Sequence, residues 1–286
     1  MKGRRGMKIT TSNGLQLRVQ GPWAALVRVA AVAANTVREA GRAKLFYGVL
    51  GAAVMLLAFS LVLSDLALID QKARLVQSFG MVVIPLVCLV TATLLGVELL
   101  HKEIDKKTLY AILPKPVRRS EFLIGKYLGL LTLLTGQLAV LVLCWWSVLV
   151  LRGGQLTGPL VRTFALALVE LVVVTAVAMF FSALTRPVLS GVFTLGMVLV
   201  GRSNYVIADL LGANKGVFAE VPAMRTLGKL LVAAVPDLST FAVADPVLHG
   251  WVVPWHYLLT ACLYGGSWAC VFLVGAVILF ERRDFT

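Results

Sequence analysis

Three histidines and four cysteines are the side chains here best suited to hold a metal or attack a substrate, and their spacing supports neither. His101, His249 and His256 form no ligand cluster along the chain. Cys88, Cys144, Cys262 and Cys270 show neither CxxC nor a Cys/His zinc spacing. Cys262 and Cys270 stand eight residues apart on one expected helix, too far for a disulfide between them. All four cysteines lie in apolar runs, where a thiol packs as a small apolar core group. The sequence contains no HExxH, GxSxG or DxDxDG signature. Gly125–Lys126 lacks the upstream glycine and following hydroxyl residue of a phosphate loop. No catalytic residue and no metal site is assigned, and the chain is not expected to hydrolyse a nucleotide by itself.

Two constellations invite chemistry of another kind. Glu170 sits inside a long apolar run, where an ionised carboxylate costs about 2.5–3.5 kcal/mol on insertion scales. Such an acid marks either a transport path or a helix-packing contact, and Gln137 is a candidate hydrogen-bond partner for it. The second constellation is "EIDKKTLYAILPKPVRRSEFLIGKYLG", Glu103–Gly129, dense in charge between two apolar runs. Glu98, Glu103 and Asp105 stand at or before the start of a short expected helix, which suits its dipole. Leu109, Ile112 and Leu113 share one face of it, and Pro114 and Pro116 end it. Ser120 is placed to cap the next helix, which carries Glu121 and Phe122 into the following apolar run. Helix, proline-locked turn and helix make a rigid amphipathic knob, too mixed in sign for a plain polybasic lipid patch. A solvated loop that only sets topology is the alternative.

The elements around these residues are those of an all-α polytopic membrane protein. Of 286 residues 59% are apolar and 14% are charged, against about 25% charged in a soluble domain. Apolar runs of 18 or more residues recur, each long enough to cross a hydrocarbon core of about 30 Å as a helix, and ~10-residue alternating segments of a β-barrel do not dominate. Six transmembrane helices are expected at about 46–69, 79–100, 122–151, 160–184, 188–211 and 255–280. Residues 1–20 read as a mobile basic extension and 21–286 as one transmembrane domain. Residues 22–44 place Arg28, Arg38, Arg42 and Lys44 among Trp23, Leu26, Val27, Val29 and Val37, the pattern of a helix lying in the interface. The first long apolar run starts near Phe46, too late for a secretory signal. The stretch "RTLGKLLVAAVPDLSTFAVAD" before the last span is apolar but broken by Pro236 and Asp237, so it reads as a re-entrant or interfacial helix.

The formal charge of +13 follows sidedness rather than nucleic-acid binding. Nine Lys and Arg precede the first span and seven fall between the second and third, against two between the first and second. By the positive-inside rule both termini and the Glu103–Gly129 connection face the cytoplasm. Arg202 interrupts the fifth span roughly 22 Å along its axis at 1.5 Å per residue, where it is expected to snorkel to the outer headgroups. Gly191, Gly196, Gly265, Gly266 and Gly275 permit close helix approach in the last two spans.

The Glu103–Gly129 run closely resembles the ABC-2 type permeases, the membrane subunits of ABC exporters. Thr108, Leu109, Leu113, Pro116, Val117, Arg119, Glu121, Phe122, Gly125, Lys126 and Gly129 stand at matching positions. "NTVREAGRAKL", Asn35–Leu45, resembles the interfacial elbow helix of that family, and "VGRSNYVIADL", "VPDLSTF" and "FERRDF" resemble its later segments. The likeness covers Arg28 to the end and leaves the first 20 residues unmatched. It implies six helices per subunit with an N-terminal elbow helix and a cytoplasmic coupling helix. It also implies pairing with a second permease subunit, as homo- or heterodimer, and a separate ABC ATPase subunit beneath each. ATP and Mg belong to that ATPase, and no cofactor is expected on this chain. The implied coupling interface is Asp105, Lys106, Lys107, Thr108, Leu109, Tyr110, Leu113, Arg118 and Arg119, and the elbow carries Arg38, Glu39 and Arg42. Export across a plasma (inner) membrane by alternating access is the implied activity. A membrane-embedded enzyme built on Glu170, or an ATPase anchor that does not transport, are the alternatives.

Overall fold

The computed structural model of the protein describes residues 7–10, 16–19, 22–66, 72–105, 118–155, 157–212 and 222–282. The described residues are helical apart from one hairpin and the turns between elements. In the basic extension β1 (Met7–Thr10) pairs antiparallel with β2 (Gln16–Val19), in a register that sets Lys8 opposite Arg18. The amphipathic α1 (Pro22–Gly41) follows, and a turn of two residues, Arg42 and Ala43, leads into α2 (Lys44–Leu66). Next come α3 (Lys72–Asp105), α4 (Arg119–Leu151) and α5 (Gly158–Leu184). Two shorter helices, α6 (Pro187–Arg202) and α7 (Asn204–Gly212), meet at a break at Ser203. Then α8 (Pro222–Ala234), a 3-10 turn (Leu238–Phe241) and α9 (Ala244–Leu248) lead to the last helix, α10 (Trp255–Arg282).

Among the described residues five helices, α2, α3, α4, α5 and α10, are each long and apolar enough to cross a membrane. Two bent pairs could add a crossing each: α6 with α7, at 50°, and Thr226–Ala234 with Leu238–Leu248, at 51°. The expected fifth span is therefore two helices. Ser203 ends the first of them, and its backbone N–H still bonds the Leu199 carbonyl at 3.0 Å. The expected break at Pro236 and Asp237 is also present. Asp237 accepts from the backbone N–H of Ser239 at 3.0 Å and so caps the 3-10 turn.

α5 lies at the centre, against α10, α3, α6 and α4. The most apolar window of α5 is 72% buried and that of α3 67%, whereas those of α2, α4 and α10 are 22–33% buried. α5 is apolar on all sides, as a core helix must be, but α2 is nearly as apolar and stays at the outside, so the order is set by packing and not by composition. Close packing at one end is set by Trp145, whose ring occupies the space a Cβ on Gly80 would need and whose Nε1 donates to the Val76 carbonyl at 2.9 Å. Beside it, Arg152 holds Asp65 with two bonds of 2.7 and 2.9 Å, joining the ends of α2 and α4.

The knob itself, Lys106–Val117, lies outside the described residues, and so do Lys106, Lys107, Thr108, Leu109, Tyr110 and Leu113. Asp105 is the last residue of α3. The N-cap of α4 is Arg118, so Ser120 stands inside the first turn and does not cap it as expected. Glu121 reaches back instead, accepting from the Arg118 backbone N–H at 3.3 Å. The helix starts two residues earlier than expected, which puts Glu121 at the third helical position, where a Glu side chain reaches back to the N-cap N–H.

Candidate functional site

Where α4 begins, the motif residues form a clamp. Gly125 and Gly129 stand one turn apart on α4 and face α1. A Cβ on Gly125 would lie 2.7 Å from the Val32 side chain, and one on Gly129 would lie 2.6 Å from the Ala33 carbonyl oxygen. Only hydrogen at these two positions lets the helices touch backbone to backbone. At the N-terminal end of this contact Arg28 grips Glu121 with paired bonds of 2.8 Å each, from Nε and Nη2. The bond to Glu121 strengthens the hold of the Arg28 guanidinium on its proton. Lys126, buried between the glycines, donates to the Leu99 carbonyl at 3.1 Å and lies 3.7 Å from Glu39 Oε2. Its ammonium also stands 5.4 Å from the Phe122 ring centroid. A Lys so buried needs such acceptors, because an unpaired ammonium out of water is costly. Tyr127 then donates to the Val172 carbonyl of α5 at 3.0 Å. Within seven residues, α4 is thus tied to α1, α3 and α5.

Of the elbow residues, Glu39 takes part in this clamp, whereas Arg38 and Arg42 are exposed. Arg118 and Arg119 stand at the start of α4, and Arg119 Nη1 donates to the Glu281 carbonyl near the end of α10 at 3.3 Å. Arg28, Lys126 and Tyr127 carry the clamp without having been marked as site residues. The signal was the glycine spacing in "GKYLG", which is that of a close helix contact with a Lys between.

The second site surrounds Glu170. Its partner is Arg202, not Gln137: Nε and Nη2 of Arg202 donate to Oε1 and Oε2 at 2.8 and 2.9 Å. Gln137 donates to Thr91 at 3.0 Å, joining α4 to α3. The pairing follows from the hairpin of α5 and α6. Glu170 lies about 21 Å from the α5 end at Leu184, and Arg202 about 22 Å from the α6 start at Pro187, so both stand at one level. Arg202 therefore turns inward to a buried carboxylate instead of outward to headgroups. Glu170 is only 2% exposed at its side chain and Arg202 is 30% exposed. The pair walls a cavity of about 220 Å³ bounded by Pro85 of α3, Thr163 of α5 and the Phe241–Ala244 turn.

The remaining candidates divide by packing. Gly265 and Gly275 meet Val169 and Phe180 closely, while nothing lies within 4 Å of a Cβ on Gly191, Gly196 or Gly266. Cys88 is buried as expected, but Cys262 and Cys270 are exposed on the outer face of α10. Their run is apolar because that face is outward in an apolar helix, not because it is core. Among the described residues no group of three or more His, Cys, Asp or Glu side chains could hold a metal ion.

The family model described as ABC-2 family transporter protein matches residues 25–285. A search of curated proteins found no match.

Proposed function

The chain belongs to the ABC-2 transporter family, as the membrane permease of an ABC transporter, and on that premise we propose that it exports its substrate by alternating access driven by a separate ATPase subunit. The ATPase docks on the connection between α3 and α4, where Asp105, Thr108, Leu109, Tyr110 and Leu113 form the contact and Arg118 and Arg119 flank it. ATP and Mg act on that subunit. Two permease subunits pair to enclose the path, and both termini lie on the cytoplasmic side of the inner membrane.

The observation that supports this reading is the clamp at the start of α4. Glu121 holds Arg28 of α1, and Lys126 holds the Leu99 carbonyl of α3 and approaches Glu39. A displacement delivered to the connection is passed to three helices at once, as ATP-driven rocking of a bundle requires. Paired ions at 13–19% exposure, backed by backbone contact at two glycines, resist sliding better than apolar packing alone.

The test is to purify the chain with its ATPase and measure substrate-stimulated hydrolysis and vesicle transport together. Leu109→Asp is expected to leave insertion and basal hydrolysis intact while lowering transport at least tenfold. Normal transport in that variant would remove the docking assignment, and repeated purification without any ATPase subunit would count against the whole reading.

A further inference from the structure

A groove runs down the outside of the bundle between α4 and α10, which both pack on α5. The start of α4 and the end of α10 are joined: the Phe122 and Phe280 rings stack at 6.5 Å, and Arg119 Nη1 donates to the Glu281 carbonyl. Beyond this seam the small residues Gly266, Ala269 and Cys270 leave the helices apart, and nothing lies within 4 Å of a Cβ on Gly266. The hollow measures about 600 Å³, within the ~300–1,000 Å³ usual for small-molecule sites. Its walls are apolar and open outward: Ile124 and Leu128 of α4, Val274 and Ile278 of α10 are all exposed. Tyr127 and Val172 line it too, and the Tyr127 hydroxyl is occupied by the Val172 carbonyl. Val172 lies two residues beyond Glu170, about 200° around α5, so the groove and the Glu170–Arg202 cavity are on opposite faces of that helix.

Length and charge together name the occupant. From Gly266 to Ile278 the groove follows α10 for about 18 Å, slightly more than half of a ~30 Å hydrocarbon core. That is the reach of an acyl chain in one leaflet, whereas a neighbouring span would need a groove of full depth. Ser120 and Ile278 mark its mouth, next to Arg119 and one turn short of Glu281. Arg118 and Arg119 are both exposed there. The other charges at this end are already matched, Glu121 by Arg28 and Lys126 by Glu39, so Glu281 alone among the described side chains of α4 and α10 stands against the two guanidinium groups. One more arginine, Arg282, ends α10. A net cationic mouth on an apolar slot is complementary to a phosphate joined to a hydrocarbon chain, and arginine is the side chain that best matches phosphate geometry.

We infer that the α4–α10 groove holds one anionic phospholipid, with its phosphate on Arg118 and Arg119 and one acyl chain between Ile124, Leu128, Val274 and Ile278. This lipid is a resident of the outer face and not a molecule in transit: it spans the seam between α4 and α10 beside the clamp that Glu121 and Lys126 form. That its leaflet is the cytoplasmic one rests on the sidedness proposed above; the site itself does not. The test therefore uses the full chain without an ATPase, so that loss of lipid binding and loss of coupling are read separately.

The chain is placed in phosphatidylcholine nanodiscs containing a trace of phosphatidylglycerol with a photoreactive diazirine in its acyl tail. Phosphatidylcholine with the same tail serves as the neutral comparison. Labelling of residues 120–128 and 266–278 is expected to be about fivefold higher with the phosphatidylglycerol probe, the factor that one uncompensated basic side chain supplies near an anionic head. The exposed Val54, Met55 and Phe59 of α2 should take both probes equally. The Arg118→Gln/Arg119→Gln double variant is expected to abolish the preference between heads. Val274→Trp, a change at an exposed position that fills the slot, is expected to lower phosphatidylglycerol labelling of residues 120–128 about fivefold; if the arginine variant does not insert, this change carries the test. Equal labelling by both heads, a preference that survives loss of the arginines, or labelling that survives Val274→Trp would overturn the assignment. So would a disulfide between the Cys270 residues of two chains, formed by mild oxidation in proteoliposomes, which would give the groove to a second copy.

Discussion

A carboxylate at 2% exposure and a guanidinium at 30% respond differently when the other is removed. Arg202→Gln leaves Glu170 sealed without a counter-ion, and breaking a buried pair in this way costs about 3–5 kcal/mol. Glu170→Gln leaves a long cationic side chain that can turn toward water, so it costs less. The double change to glutamines removes both charges and is expected to recover most of the loss. Thermal unfolding of the four proteins in one detergent checks the order: wild type, double variant, Glu170→Gln, Arg202→Gln, from most to least stable. Glu170 was legible in the sequence, because an acid in an apolar run is conspicuous at any register. Its partner was not read, because Gln137 matched by type while Arg202 was assigned to the headgroups by its depth. The equal offsets of Glu170 and Arg202 from the turn at Thr185–Arg186 held the answer, but only once α5 and α6 are packed as a hairpin.

At the scale of elements, the contact between α1 and α4 depends on two hydrogens. Gly129→Val would drive side-chain carbons into the Ala33 carbonyl, which already lies 2.6 Å from an ideal Cβ. Overpacking of this kind costs about 1–3 kcal/mol. The relief available is separation of α1 from α4, so protease cleavage within residues 22–41 should quicken at least fivefold, with insertion of α4 retained. Exchanging the charges of Arg28 and Glu121 tests the same seam from the polar side. Each single reversal should quicken cleavage, and the double exchange should restore much of the protection; no restoration would mean that the ions are incidental to docking. The helices themselves were legible because apolar length is written locally. The docking was not, since "GKYLG" and "NTVREAGRAKL" each look complete alone, and only their juxtaposition explains both glycines.

For the whole molecule, the question is which ends share a side of the membrane. An even number of crossings brings the termini together, and among the described residues five long apolar helices with two bent pairs allow several counts. With the native cysteines replaced, Thr157→Cys between α4 and α5 should react with an impermeant maleimide on intact cells. Ser120→Cys at the start of α4 should react only after permeabilisation. Reaction of both on intact cells would reverse the sidedness assigned from Lys and Arg. Charge bias assigns a sidedness from sequence alone, because it acts through loops that need no packing. The bends at Ser203 and before Leu238 have weaker local signals: a short polar run in one case and a proline with a capping acid in the other.

The length of α3 has a mechanical consequence. Its 34 residues extend about 51 Å, beyond the ~30 Å hydrocarbon core, and end at Asp105, next to the proposed ATPase contact. Pro85, which lines the chamber beside Glu170 and Arg202, lacks the N–H that would bond the carbonyl four residues earlier, so the rod is weakest there. Treated as a fulcrum, it divides α3 into arms of about 20 and 30 Å, and the longer arm is the one that ends at Asp105. A push of a given size at that end is then delivered to the Lys72 end as a smaller movement with greater force, in a ratio of roughly three to two. Mechanical advantage of this kind trades travel for force at the end of α3 farther from Asp105.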